Sequence, residues 1–87
     1  MAITVQHPSD DDIATMKTWP TWNKEISVFD WHYDVPETCY LVEGEVTVTT
    51  PDGQVVSFGP GDRVTFPAGL TYTWAVRKPV RKHFRLG

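Results

Sequence analysis

Three polar residues stand where the surrounding pattern is apolar, and their types could carry acid–base chemistry. Read with period two, residues 37–43 put Glu37 on one face with Cys39 and Leu41. Residues 80–86 put Lys82 with Val80, Phe84 and Leu86, and residues 71–76 put Tyr72 with Trp74 and Val76. An ammonium on an apolar face needs a nearby anion to stay charged, and Glu37 is the candidate partner. If the three faces meet, Glu37 becomes a base or ligand anchor, Lys82 its charge partner and Tyr72 a proton donor. Burial and coupling would then bring their pKa values toward neutrality. The structural alternative is a Lys82 that snorkels to a rim and a Glu37 bound to backbone amides.

Trp31, Tyr33, Tyr40 and Trp74 offer flat faces, either as the floor of a planar-ligand site or as the packing of a small core. Cys39 would line the same face as Glu37 and so counts with Trp31, Tyr33 and Trp74 among the candidate ligand contacts. It reads better as a small core residue than as a nucleophile, since Lys82 is its one candidate activator. His83 shares a face with Arg81 and Arg85 and reads as a surface residue.

The elements that must position these residues are almost all strands. Residues 2–6 alternate as a short edge strand. Ser9 followed by Asp10, Asp11 and Asp12 predicts a capped helical turn, with Ile13 and Met16 as its apolar stripe. Period two then predicts strands at 18–22, 25–33, 37–43, 45–50, 54–58, 62–66, 71–76 and 80–86. Pro51-Asp52-Gly53, Gly59-Pro60-Gly61-Asp62 and Pro67-Ala68-Gly69 are the turns between them. Short strands at this spacing mean an all-β sandwich or barrel.

With 87 residues there is room for one domain, 1–87, and one modest core. Cys39 is the sole cysteine, so disulfides cannot reinforce it, and aromatic packing or association must. The four Trp, three Tyr and four Phe fit either, and an exposed aromatic face would suit a homodimer. A net charge of −3 argues against nucleic acid as a partner, although Arg77 to Arg85 is locally basic. No apolar run reaches the ~18 residues of a membrane span. A free thiol and an N-terminus without a basic n-region or long apolar stretch point to the cytoplasm.

Two stretches resemble a known family. In the segment Asp30 to Gly44, Glu37, six residues and Gly44 look like the second half of the first cupin motif. Gly61, five residues and Pro67-Ala68-Gly69 are similar to the start of the second cupin motif. Trp19-Pro20-Thr21-Trp22, Trp74 and Val80 to Phe84 further resemble the small one-domain branch grouped with ureidoglycine aminohydrolase. The resemblance spans about residues 3–86. It implies a cupin-type double-stranded β-helix, a jelly-roll barrel of the RmlC-like kind, with the site in its interior.

Metal-binding cupins place His-x-His, then Glu, then a later His inside the barrel, a set suited to Mn, Fe, Ni or Zn. Here the His-x-His positions become Asp30 and His32 with a four-residue gap before Glu37, or Trp31 and Tyr33 with three. In both registers the later His position is Tyr72. A bulge at 34–36 would flip the face, so alternation does not choose, while the apolar bias favours Trp31 and Tyr33 inward. No cofactor is therefore expected, with a divalent transition metal on Asp30, His32 and Glu37 as the alternative. The first functional expectation is a barrel binding a small polar metabolite that bears an amide, carboxylate or sugar ring. A hydrolase or lyase acting on a C–N bond, related to ureidoglycine aminohydrolase, comes second, and a non-catalytic scaffold third.

Overall fold

Two long strands set the frame, β4 (Glu37–Thr49) and β7 (Thr71–Leu86), paired antiparallel along most of their length. The structure is a computed structural model that describes residues 3–87, so residue 2 of the expected N-terminal strand lies outside the described residues. Around the long pair lie β1 (Thr4–Gln6), β2 (Thr21–Lys24), β3 (Ser27–His32), β5 (Val55–Phe58) and β6 (Arg63–Phe66). β2 and β3 pair with successive halves of β7, β5 and β6 with successive halves of β4, and β1 with β6. The result is the expected all-β jelly roll, with one short helix, α1 (Asp10–Met16).

α1 begins as its sequence predicts. The Ser9 side chain accepts from the Asp12 backbone N–H, and Asp10, Asp11 and Asp12 fill the positive end of the helix dipole. Its buried residue, Met16, faces inward as the helix lies against β4. The expected strand at 18–22 starts late. Thr18 and Trp19 donate to the carbonyls of Thr15 and Met16, so the helical turn continues up to Pro20 before the chain extends.

Two pairs of expected strands are each one continuous strand. The expected break between residues 43 and 45 is a bend inside β4, where the register with β7 shifts between Leu41 and Val46. Gly44 makes that bend possible. Its φ is +111°, and a Cβ there would stand 2.7 Å from the Pro79 carbonyl oxygen and 2.8 Å from Val80 Cα. Opposite it, β7 runs through Pro79, which lacks the N–H that a regular ladder would need. Glu45 and Lys78 face each other at this corner at 3.7 Å.

Inward-facing residues form a single core: Leu41, Val46, Val48, Phe58, Val64, Phe66, Tyr72, Trp74 and Val76 among them. Aromatic rings dominate it. Phe66 stacks on Tyr33 with centroids 5.1 Å apart and lies 5.3 Å from Trp74, which meets Phe58 edge-on. Such rings supply the burial a small domain needs without disulfides. Among the described residues no helix is long and apolar enough to cross a membrane.

Candidate functional site

Glu37 opens β4 and Lys82 lies near the end of β7, and both are almost completely buried, at 5% and 4% exposure. Their residues are near neighbours in the ladder, since Lys82 pairs with Leu41 and Glu37 with Leu86 on the same inward face. The Lys82 Nζ donates to both carboxylate oxygens, at 3.1 Å to Oε1 and 3.2 Å to Oε2. The Tyr33 hydroxyl donates to Oε1 at 2.5 Å. Lys82 Nζ also sits over two indoles, 4.8 Å from the Trp22 centroid and 4.7 Å from that of Trp74. A carboxylate and two aromatic faces thus replace the water a buried ammonium loses.

This cluster forms the polar end of a pocket of ≈ 320 Å³. Trp22, Phe29, Trp74 and Phe84 supply apolar walls, while Trp31, His32, Asp34, Val35 and Leu86 stand toward the mouth. A concave, mostly aromatic site with a few convergent polar groups is the usual form of a small-molecule site. The indole N–H of Trp74 is buried and has no hydrogen-bond partner among the described residues. Glu37 Oε2, unlike Oε1, has Lys82 as its one partner among them.

Burial, then the neighbouring Glu37 carboxylate, pushes the Tyr33 hydroxyl well above the ordinary tyrosine range, so Tyr33 is a fixed O–H donor. The Cys39 thiol is pushed up to about 12, mainly by burial, with Lys82 opposing and Glu37 adding. It lies in the core between its ladder neighbours Val64 and Phe84, away from the pocket lining. The expectation of Cys39 as a ligand contact is corrected accordingly.

Tyr72 is corrected as well. It is buried on the inward face as expected, but its hydroxyl points to the Pro67 carbonyl at 3.5 Å and does not reach Glu37. Tyr33 takes that place, because the turn at 34–36 brings it back over Glu37. Backbone hydrogen bonds from Tyr33 N–H to the Leu70 carbonyl and from Gly69 N–H to the Tyr33 carbonyl fix it there. Trp31 shares the inward-pointing set with Phe29 and Tyr33 and lines the pocket, yet it is 50% exposed at the mouth. Tyr40 alternates onto the other side of β4 from Cys39 and Leu41 and is not a pocket wall. His83 is half-buried and its Nδ1 donates to the Trp19 carbonyl at 3.0 Å, anchoring the chain before β2.

The alternative metal set does not assemble. Asp30 and His32 fall on the outward face of β3, where Asp30 accepts from Thr73 Oγ1 at 2.8 Å and His32 Nδ1 meets Thr71 Oγ1 at 2.9 Å. Glu37 lies inside, already bound by Lys82. Among the described residues no three His, Cys, Asp or Glu side chains gather as a metal site would require. The residues present do not fit a transition metal.

Trp22 and Phe29 are site residues that strand phase in one segment does not reveal. A signal was available: β2 and β3 pair with β7, so Trp22 opposes Lys82 and Phe29 opposes Trp74, and opposed residues share a face.

Residues 13–84 match the model of the EutQ-like cupin domain family. A crystal structure of a DUF861 family protein from Thermotoga maritima is similar over 99% of this chain and 100% of its own, with 45% identity and a TM-score of 0.95. The Clostridium difficile EutQ protein shares 23% identity over 76% of this chain and 52% of its own, with a TM-score of 0.69. A putative ethanolamine utilization protein Q from Salmonella typhimurium shares 15% over 99% and 69%, also at 0.69. At these identities the last two share the fold alone. No curated protein matches the chain.

Proposed function

The chain belongs to the family of EutQ-like cupin domains, and from that premise we propose that it binds a small, uncharged polar metabolite inside its barrel, against Glu37, Lys82 and Tyr33. The observation that carries this reading is a buried ion pair, complete with a third hydrogen-bonding partner, at the polar end of an aromatic pocket. A fold needs no such cluster, and replacing it with hydrocarbon would ordinarily be neutral or stabilising. Fold alone assigns no chemistry, so the argument rests on the site.

The charge balance selects the ligand. Glu37 already neutralises Lys82, so an anionic ligand would place two negative groups around one ammonium at low dielectric. A neutral ligand with a donor for Glu37 Oε2 and an acceptor for the Trp74 N–H or a Lys82 proton meets no such cost. Its flat or apolar part would lie among Trp22, Phe29 and Trp74.

The reading as a C–N hydrolase similar to ureidoglycine aminohydrolase ranks behind. Two or three of the imidazole positions are absent, and hydrolysis without a metal-activated water would need Glu37 as its base. Glu37 is hydrogen-bonded to Tyr33 and Lys82 instead, so the proton within its reach is that of Lys82 and not a free water's. We propose that the barrel works without a metal.

Calorimetric titration with a panel of neutral amides, sugars and heterocycles, and their carboxylate analogues, tests the proposal. Neutral members are expected to bind, carboxylates not, and Glu37→Gln with Lys82→Met to lose the binding. Full affinity in that double variant would move the site elsewhere.

A further inference from the structure

The four lysines of this chain divide sharply. Lys17, Lys24 and Lys78 are exposed, whereas Lys82 is buried and borders the pocket. Its Nζ has a carboxylate at 3.1 Å and two indole faces within 5 Å, and the carboxylate carries a tyrosine hydroxyl. Amine, proton-carrying carboxylate and hydroxyl donor in an apolar pocket are the parts that imine chemistry requires. We propose that Lys82 is a covalent capture site for a neutral aldehyde or ketone, forming an iminium at Nζ. This deepens the binding reading and rests on it, since the carbonyl compound must enter the same pocket.

The steps balance within the residues present. A proton moves along the hydrogen bond from the Lys82 ammonium to Glu37, which cancels both charges. In a low-dielectric pocket that cancellation offsets much of what proton transfer would cost in water. The freed Nζ lone pair adds to the carbonyl carbon, and the C=O electron pair moves to oxygen, which takes the proton back from Glu37. Glu37 then removes a proton from the new C–N nitrogen and returns it to the hydroxyl, which leaves as water. Net, an ammonium and a carbonyl become an iminium and one water: a C–N bond forms, a C–O bond breaks, and nothing is oxidised or reduced.

The iminium carries the same single positive charge at the same atom as the ammonium it replaces. The surroundings are therefore already built for the product: Glu37 on one side, the Trp22 and Trp74 faces on the other. Carbonyl compounds that bear a carboxylate would add an anion that the site cannot neutralise, which restricts the class to uncharged ones. Cys39, the other nucleophile nearby, is withdrawn into the core with its thiol held protonated and does not compete.

The test is reductive trapping on the full chain. The protein is incubated with benzaldehyde or propanal and sodium cyanoborohydride, and the alkylated lysines are located by peptide mass mapping. Pyruvate serves as the anionic comparison. The expected result is modification of Lys82 ahead of the exposed Lys17, Lys24 and Lys78, and little with pyruvate. It should be lost in Lys82→Arg, and in Glu37→Gln that retains its near-ultraviolet circular dichroism. Non-covalent binding of benzyl alcohol, followed by tryptophan fluorescence, runs in parallel. Absence of a Lys82 adduct while benzyl alcohol still binds would overturn the covalent step and leave the pocket reading standing. Absence of both would overturn the two together. A Lys82 adduct formed equally fast in Glu37→Gln would also overturn the mechanism, because the carboxylate would then carry no protons.

Discussion

Lys82→Met and Glu37→Gln, made singly and together, probe the buried pair. Lys82→Met keeps an unbranched stem against Trp22 and Trp74 but strands the Glu37 carboxylate with one remaining donor, Tyr33. Breaking a buried pair by removing one partner typically costs ~3–5 kcal/mol, and this variant should fall within that range. Glu37→Gln leaves the ammonium over two indole faces at 4.7 and 4.8 Å. Those contacts persist in the variant and still screen the stranded charge, so its loss should lie at the lower end of the ~3–5 kcal/mol range, at about 3 kcal/mol. With both charges gone no ion is stranded, so the double variant should be more stable than either single one. Equilibrium urea unfolding reads this directly. With a slope of ~2 kcal/mol per molar, a 3 kcal/mol loss lowers the midpoint by roughly 1.5 M. Two single losses under 1 kcal/mol that simply add in the double variant would refute the reasoning, because the charges would then be solvated and uncoupled.

Further outcomes follow from the same geometry. Cys39, whose ordinary value is 9.0, is pushed up to about 12, and Tyr33 and Tyr72 are raised above 10.0. Each folded pKa is raised, so the unfolded chain gives up these protons first. Their stability contribution is whole below pH 9 and is lost as pH rises, by ~1.4 kcal/mol per unit for each ionising group. Urea midpoints measured from pH 8 to 11 should fall, and Cys39→Ala should delay the fall until the tyrosines of the unfolded chain begin to ionise near pH 10. Gly44→Ala forces an L side chain to φ +111° and its Cβ to 2.7 Å from the Pro79 oxygen. The backbone strain alone is on the order of 1–3 kcal/mol, so thermal unfolding should show a clear loss. Trp31→Ala at the half-exposed mouth should weaken ligand binding in calorimetry while changing the urea midpoint little. Asp30→Asn, on the outward face, should change stability within about 0.5 kcal/mol and leave binding untouched.

Strand phase located the inward faces well because the chemistry of this chain repeats at period two. Glu37, Lys82, Tyr72 and Trp74 each alternate with exposed or half-exposed neighbours, and all four are buried. Phase says which face a side chain occupies, but not how far along the barrel it sits. Phase alone therefore puts Tyr72 beside Glu37, whereas its hydroxyl ends at Pro67. The position of Tyr33 depends on the turn at 34–36 and on backbone bonds to residues 69 and 70, more than thirty residues away. No local pattern carries such a contact. The cupin motifs carried the fold, and the same alignment left two registers open for Asp30, His32, Trp31 and Tyr33. The ladder of β3 with β7 closes that question, because Trp31 pairs with Tyr72 and both share the inward set with Tyr33. Lys82 shows the opposite case: a single cation in an apolar stripe was a correct signal of a buried pair.

The four indole N–H groups allow the most direct test that this pocket is where the protein meets its ligand. Trp22, Trp31 and Trp74 line the pocket and Trp19 does not, so a proton–nitrogen spectrum carries three reporters and one internal control. Titrating the neutral panel should shift the Trp22, Trp31 and Trp74 cross-peaks, Trp74 most as its unpartnered N–H gains an acceptor, and leave Trp19 in place. Bound ligand that moves Trp19 while those three stay still would contradict the account.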